Sequence, residues 1–367
     1  MRPGRFVRAE FALLVGAAGT AGFWMFGPQM MARLDDPSVF IAIFAVLFAV
    51  MLWLSFGVVR HADCLAGLLG EPLGTLILTV AVIGIEVIMI SAVMVTGKSN
   101  PALARDTMFA VLMIVLNGMI GLSMLMGAWR HGTPVFNLQG ANAYLGVIVP
   151  LAAITLILPR FTTSAPGGEP STLLAVLLIT ASVVLYGVFL GIQTMRHRGF
   201  FTQPNTDEEP PAHSNVVPKS VLYHALLLPL TMLPIVLLSK SMAKLVDHGI
   251  VTIGAPQALG GFIVALIVLS PEGLSAFRAA LHNQFQRTVN ISLGSALATI
   301  GLTVPAVLVI GFVTGERVEL GLEPIQIVLL VVTLVTMIVN AGSGRTNVLQ
   351  GVVHLLLFAT YAVLLFD

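Results

Sequence analysis

The sequence predicts an all-α integral membrane protein of about eleven transmembrane helices, one N-terminal helix plus two inverted five-helix repeats. Three observations lead there. The 367 residues are 57% hydrophobic and 10% charged, with a mean hydropathy of +0.98, whereas a soluble chain carries roughly 25% charged residues. The apolar residues gather into eleven runs, each close to the ~20 residues that cross ~30 Å of hydrocarbon. One long polar interval, 196–219, leaves five runs on each side once the first is set aside. Such a composition excludes a soluble enzyme, a disordered scaffold and a nucleic-acid binder. A net charge of +1 implies no strongly charged partner, and the single cysteine, Cys64, excludes an internal disulfide framework and a thiolate metal cluster.

Taken in order, the runs are 11–27, 39–58, 73–97, 107–129, 142–159, 171–195, 220–239, 259–281, 289–313, 325–340 and 346–366. They lack the alternation of membrane β-strands, and a continuous apolar run reads as a helix because a helix satisfies its own backbone in lipid. The first run follows Arg2, Arg5 and Arg8 as a signal peptide would. It lacks a small-residue cleavage site, so it is read as a retained helix. The chain thus divides into an N-terminal helix and loop (1–38), a first repeat (39–195), a cytoplasmic acidic linker (196–219) and a second repeat (220–367). Within the linker, Asp207-Glu208-Glu209 precedes Pro210-Pro211 and reads as a solvated loop. With the N-terminus inside, the cytoplasmic segments hold eleven Lys and Arg and the outside loops seven, so the positive-inside rule places the N-terminus in the cytoplasm and the C-terminus outside.

An odd number of spans per half makes the two halves enter the membrane in opposite senses. A shift of 186 positions lays Gly74 on Gly260, Ile77 on Ile263, Val82 on Val268 and Glu86 on Glu272. Glu86 and Glu272 are the only acidic residues within the eleven runs, each thirteen positions past the start of its run (73 to 86, 259 to 272). A charged carboxylate at that depth costs at least ~3 kcal/mol on insertion scales. A single buried glutamic acid often serves as a neutral interhelical hydrogen-bonding group. Two at matching places point instead to carboxyl groups that converge on one ion site. Desolvation and a neighbouring carboxylate both favour the neutral acid, so each can hold a proton and release it to an arriving cation. Calcium and sodium are hard ions that take oxygen ligands.

Several residues surround this pair. Ser270-Pro271-Glu272-Gly273 predicts a break in the helix that frees carbonyls toward the ion; the first repeat has only Gly84 in that role. Arg278, six residues past Glu272, is expected to reach the cytoplasmic interface. Asn117 lies mid-run, and Ser295, Thr299 and Thr303 form a hydroxyl stripe. Asn117, Ser270, Ser295, Thr299 and Thr303 are therefore supporting candidates, although such hydroxyls commonly serve helix packing. His224 and His354 are read as interhelical hydrogen-bonding residues.

At these residues the chain resembles the calcium/proton exchanger family of the calcium/cation antiporter superfamily, from about residue 60 onward. The resemblance rests on His61-Ala62-Asp63-Cys64-Leu65-Ala66 with Gly70-Glu71-Pro72-Leu73-Gly74, on Glu86 and Glu272 at the two repeat acids, and on Gly294-Ser295 and Pro305. It also rests on Gln193-Thr194-Met195-Arg196-His197 and on Gly344-Arg345-Thr346-Asn347-Val348-Leu349-Gln350-Gly351. The family's Gly-Asn-Ala-x-Glu is replaced by Val82-Ile83-Gly84-Ile85-Glu86 and Val268-Leu269-Ser270-Pro271-Glu272, and a family glutamine by Ala298. The likeness implies a secondary active antiporter of the bacterial inner membrane, C-terminus periplasmic, that exports Ca²⁺ and Na⁺ against H⁺ without a cofactor. Glu86 and Glu272 are the implied ligands of the transported ion. The missing asparagines leave room for K⁺ and for a monovalent-only exchanger. A cation channel is the rival from another class, disfavoured by two inverted acids in one chain. No enzyme motif is found, the partners are lipid and the transported ions, and the oligomeric state stays open.

Overall fold

The computed structural model describes residues 10–69, 73–96, 100–165, 167–204 and 220–366. Among them the chain is helical throughout, with one isolated β-bridge between Val135 and Arg345. Eleven helices appear in order: α1 (Phe11–Met31), α2 (Pro37–Leu69), α3 (Leu73–Thr96), α4 (Leu103–His131), α5 (Leu138–Phe161), α6 (Thr172–Arg196), α7 (Val221–Ile253), α8 (Ala258–Leu281), α9 (Phe285–Thr314), α10 (Pro324–Ala341) and α11 (Val348–Leu364); among the described residues nine of them, all but α3 and α11, are long and apolar enough to cross a membrane. Side chains at the loop edges set several starts. Asn137, Ser171, Ser220 and Asn347 accept hydrogen bonds from the first-turn amides of α5, α6, α7 and α11, and Glu323 with Gln326 forms a capping box on α10.

The repeat is visible helix by helix. Both α2 and α7 have 33 residues, both α3 and α8 have 24, and α4 and α9 have 29 and 30. At 1.5 Å per residue the 33-residue helices run ~50 Å, well past the hydrocarbon. These helices overrun the apolar runs, because hydropathy ends a run at the first charge while backbone bonding continues into the interface. Consequently Asp63, Asp106 and Asp247 also lie on helices, and Asp106 is buried against Arg105 (Nε–Oδ1 2.9 Å). Wider π-turns interrupt α4 at Ile114–Met119, α5 at Ala153–Ile157, α6 at Ile192–Arg196 and α9 at Thr299–Thr303, and the 186-residue shift superposes those of α4 and α9 to within one or two positions. Such turns gather at functional sites.

Contacts divide the chain into two compact units: Met1–Asn100 with Pro210–Pro271, and Pro101–Glu209 with Glu272–Asp367. Each draws on both halves of the sequence. In the first, α2, α3 and α7 pack on one another and α1 lies against α2 and α7. In the second, counterpart helices again meet: α4 packs on α9, and α5 on α10. The aromatic rings of Phe358 (α11) and Tyr186 (α6) cover Gly118 and Gly301 of the α4 and α9 π-turns. Thus each of these two π-turns is covered by the last helix of the other half.

Residues 197–203, at the head of the interval read as a linker, fold onto the second unit. A short 3₁₀ turn, Arg198–Phe201, buries Phe201 between Tyr144 and Phe189. Asn290 Nδ2 donates to the Phe201 carbonyl (2.7 Å), and Asn137 Nδ2 to that of Gly199 (3.1 Å). The acidic triplet at 207–209 lies outside the described residues, as do Arg2, Arg5, Arg8, Lys98 and Lys219 of the orientation argument.

The closest helix pair is α4 with α11. A β-carbon on Gly351 would stand 2.5 Å from the Leu125 amide nitrogen, and one on Gly121 would stand 2.9 Å from His354 Cβ. Backbone cannot yield as a flexible side chain can, so Gly351→Leu is expected to cost more than the ~1–3 kcal/mol typical of overpacking. Thermal unfolding of the detergent-purified protein checks this: the midpoint falls for Gly351→Leu, and stays level or rises for Gly146→Ala, where the space is open.

Candidate ion site

Glu86 sits on α3 in the first unit and is 2% exposed. Its helix is apolar around it: Val82, Ile83, Ile85, Met89 and Ile90 are all buried. Gly84 lets α3 approach α7, where a β-carbon would come within 3.1 Å of the Met232 methyl. Ile83, at the asparagine position of the resembled motif, is buried and offers no oxygen.

Glu272 is the first residue of the α8 portion assigned to the second unit and is partly buried. The expected helix break is not present: α8 runs as one α-helix from Ala258 to Leu281, through Pro271 and Gly273. Proline removes a single amide donor and glycine none, and packing of the flanking turns outweighs that loss. Ser270 Oγ donates to the Leu266 carbonyl of its own helix (2.5 Å). Beyond Glu272, α8 lies along α4. Gly273 faces Met119 of the π-turn, Gly127 faces Ala280, and His131 Nε2 meets the Leu281 carbonyl at 2.9 Å. The Arg278 side chain is exposed.

Asn117 is fully buried inside that π-turn, and both ends of its amide are engaged. Its Nδ2 donates to Thr333 Oγ1 of α10 (2.9 Å), and its Oδ1 lies 3.0 Å from His354 Nδ1 of α11. His354 Nε2 lies in turn 3.0 Å from Asn340 Nδ2. An amide oxygen only accepts and an amide nitrogen only donates, so His354 carries its hydrogen on Nδ1 and accepts through Nε2. The result is a directed chain, Asn340 to His354 to Asn117 to Thr333, that ties three helices together. His354 thus makes the interhelical bond read for it from the sequence. The spacing of Thr333 and Asn340, seven residues and two helical turns apart on one face, was the sequence signal for this chain, and the sequence reading passed over it.

Ser295, Thr299 and Thr303 are buried on α9, whose first segment packs against the α4 π-turn. Thr288 extends the stripe and donates to the Ala276 carbonyl of α8 (2.8 Å). Ser292, between them, and Thr303 carry buried hydroxyls with no hydrogen-bond partner among the described residues. The second unit therefore gathers Glu272, Asn117, Ser295, Thr299 and Thr303 on the adjoining helices α8, α4 and α9. Glu86 and Ser270 belong to the first unit.

Residues 39–195 and 223–366 match the sodium/calcium exchanger protein family. The chain belongs to this family. It is 42% identical over 315 residues to the sodium-potassium/proton antiporter ChaA of Escherichia coli, covering 85% of each chain. It is 23% identical over 261 residues to a Ca²⁺/H⁺ antiporter of Synechocystis, covering 66% of this chain and 68% of the relative. Among solved structures, native YfkE superposes with a TM-score of 0.75 at 17% identity, covering 97% of this chain and 99% of that one. The H⁺/Ca²⁺ exchanger CAX gives 0.69 at 13% identity, covering 98% and 89%. These two likenesses establish the fold: an integral membrane exchanger fold, as the sequence predicts.

Removing one member of the Asn117–His354 pair strands the other's buried polar atom, a cost of ~1–3 kcal/mol. Thermal unfolding of Asn117→Leu, His354→Leu and the double variant checks the coupling. The double is expected to cost less than the sum of the singles, by about 1 kcal/mol or more.

Proposed function

We propose that this chain is a cation/proton antiporter of a bacterial inner membrane, N-terminus cytoplasmic and C-terminus periplasmic. It exports Ca²⁺ and Na⁺ in exchange for inward H⁺. The observation that carries the reading is Glu86: a carboxyl 2% exposed on an apolar span, matched by Glu272 at the same place in a helix of equal length. A carboxylate so placed is costly unless a proton or a metal ion neutralises it. Each glutamate therefore passes between a protonated and a cation-bound state. Cation and proton compete for the same oxygens, and a charged, empty return is disfavoured, which couples the two fluxes. Ser295, Thr299 and Thr303, with the unpartnered Thr303 hydroxyl foremost, supply neutral oxygens. Asn117 supports them by holding its π-turn in place.

A second reading, exchange of Na⁺ and K⁺ alone against H⁺, is favoured by Ile83 and Leu269. Both are buried and apolar where the resembled motif has an amide, which lowers the oxygen count that Ca²⁺ requires. The 42% identical relative is a sodium-potassium/proton antiporter by name, which points the same way.

Everted vesicles with a pH-sensitive dye separate the two readings. Addition of NaCl is expected to release protons in either case. Release on addition of CaCl₂ supports the first reading, and release with KCl but not CaCl₂ supports the second. Glu86→Gln and Glu272→Gln are each expected to reduce the signal to that of vesicles lacking the protein. Release that survives both substitutions removes the assigned acids.

A further inference from the structure

The first unit holds a second buried cluster of ionisable side chains, remote in sequence from Glu86 and Glu272. Glu10, immediately ahead of α1, is 1% exposed; His61 on α2 is 0% exposed and His224 on α7 5%. Glu10 accepts hydrogen bonds from Arg60 Nη2 (2.5 Å) and from the Tyr223 hydroxyl, and its Oε2 lies 3.1 Å from His61 Nε2. On the other side of that ring, His61 Nδ1 and His224 Nδ1 are 3.0 Å apart. The cluster joins α1, α2 and α7, and none of its members belongs to the ion site described above.

Its geometry fixes a proton count. A nitrogen–nitrogen distance of 3.0 Å accommodates one hydrogen, because two N–H groups cannot face each other there. Two arrangements keep both rings neutral: His224 Nδ1–H donates to His61 Nδ1 while His61 Nε2–H donates to Glu10, or His61 Nδ1–H donates to His224 Nδ1 while His61 Nε2 accepts from Arg60 Nη2. Burial works against the Glu10 charge, yet the Tyr223 hydroxyl, Arg60 and His61 together outweigh it and hold the carboxyl below its ordinary value. Glu10 is therefore a carboxylate held against Arg60. Facing the two rings are Arg60 from α2, Glu10 from ahead of α1 and Tyr223 from α7. One added proton places a second positive charge beside the Arg60 guanidinium, 3.1 Å from the His61 ring. A second proton has no place in the bridge.

The geometry points to a proton-binding site, separate from the transport acids, in which Glu10, His61 and His224 clasp α1 to α2 and α7 while neutral and release it on taking up a proton. The sign follows from linkage. A histidine in water titrates near ~6.5, so the open form binds the proton more readily than the closed bridge does. The clasp is closed above that value and opens as pH falls below it.

Hydrogen exchange of the full-length protein in detergent tests this, with rates corrected for the chemical effect of pH. Each ring that takes up a proton on opening lowers the protection of α1 residues 11–20 and α7 residues 221–230 about tenfold between roughly pH 6 and pH 5. Each of two variants removes one titrating ring and should shrink the change while the protein stays folded, and the double variant should abolish it. His224→Asn keeps an N–H for His61 but cannot titrate, and His61→Gln keeps a donor for Glu10. Undiminished protection of the wild type at the lower pH overturns the proposal without recourse to any variant. An unchanged acid loss in either variant overturns it too, because the opening would then belong to another group.

Discussion

A polar or charged group withdrawn from water must be neutralised or fully hydrogen-bonded, and in a bilayer no solvent is at hand to make up a shortfall. That constraint shapes this chain at three places. In the proposed mechanism Glu86 and Glu272 meet it by holding a proton or a cation, which would make neutralisation the transport event itself. The Asn340–His354–Asn117–Thr333 chain meets it with fixed donors and acceptors and gains rigidity. At Glu10 and Arg60 it is met by opposite charges, with two imidazoles completing the set. The proposed exchange uses the first arrangement, because a bound proton or cation can leave whereas a fixed amide or hydroxyl cannot.

Duplication gives the fold its economy, and its departures from symmetry carry information. The α4 and α9 π-turns occupy equivalent places and each is covered by an aromatic ring. Their polar residues differ in use. Asn117 is locked into a hydrogen-bond chain, whereas the Thr303 hydroxyl is buried without a partner among the described residues. One π-turn is thus anchored and the other keeps an oxygen in reserve. Two spatial units that each mix both halves follow from the same design, since counterpart helices pack on one another as well as on neighbours within their own half.

Much of this was legible in the sequence because lipid is a demanding solvent. It forces spans to be long, apolar and helical, so eleven runs became eleven helices, and it makes any acid within a run conspicuous. Local rules served less well. Pro271 and Gly273 signal a break, yet α8 continues, because packing over 24 residues outweighs one missing donor. Hydropathy stops at a charge and so hid Asp106 and the far ends of α2 and α7. Asn117 was recognised as deep, but whether an amide faces an ion or a histidine depends on which helices adjoin it, and only tertiary structure supplies that. The pairing of His61 with Glu10 and His224 escaped notice for the same reason, since those partners lie ~50 and ~160 residues away.

The central claim is that proton and cation compete for the same buried carboxyl oxygens. The most direct measurement is calorimetry of Na⁺, K⁺ and Ca²⁺ binding to the purified protein in buffers of different ionisation heat. The account predicts that at least one cation binds with release of protons and that its affinity rises with pH. Binding with no proton released and an affinity indifferent to pH would contradict it.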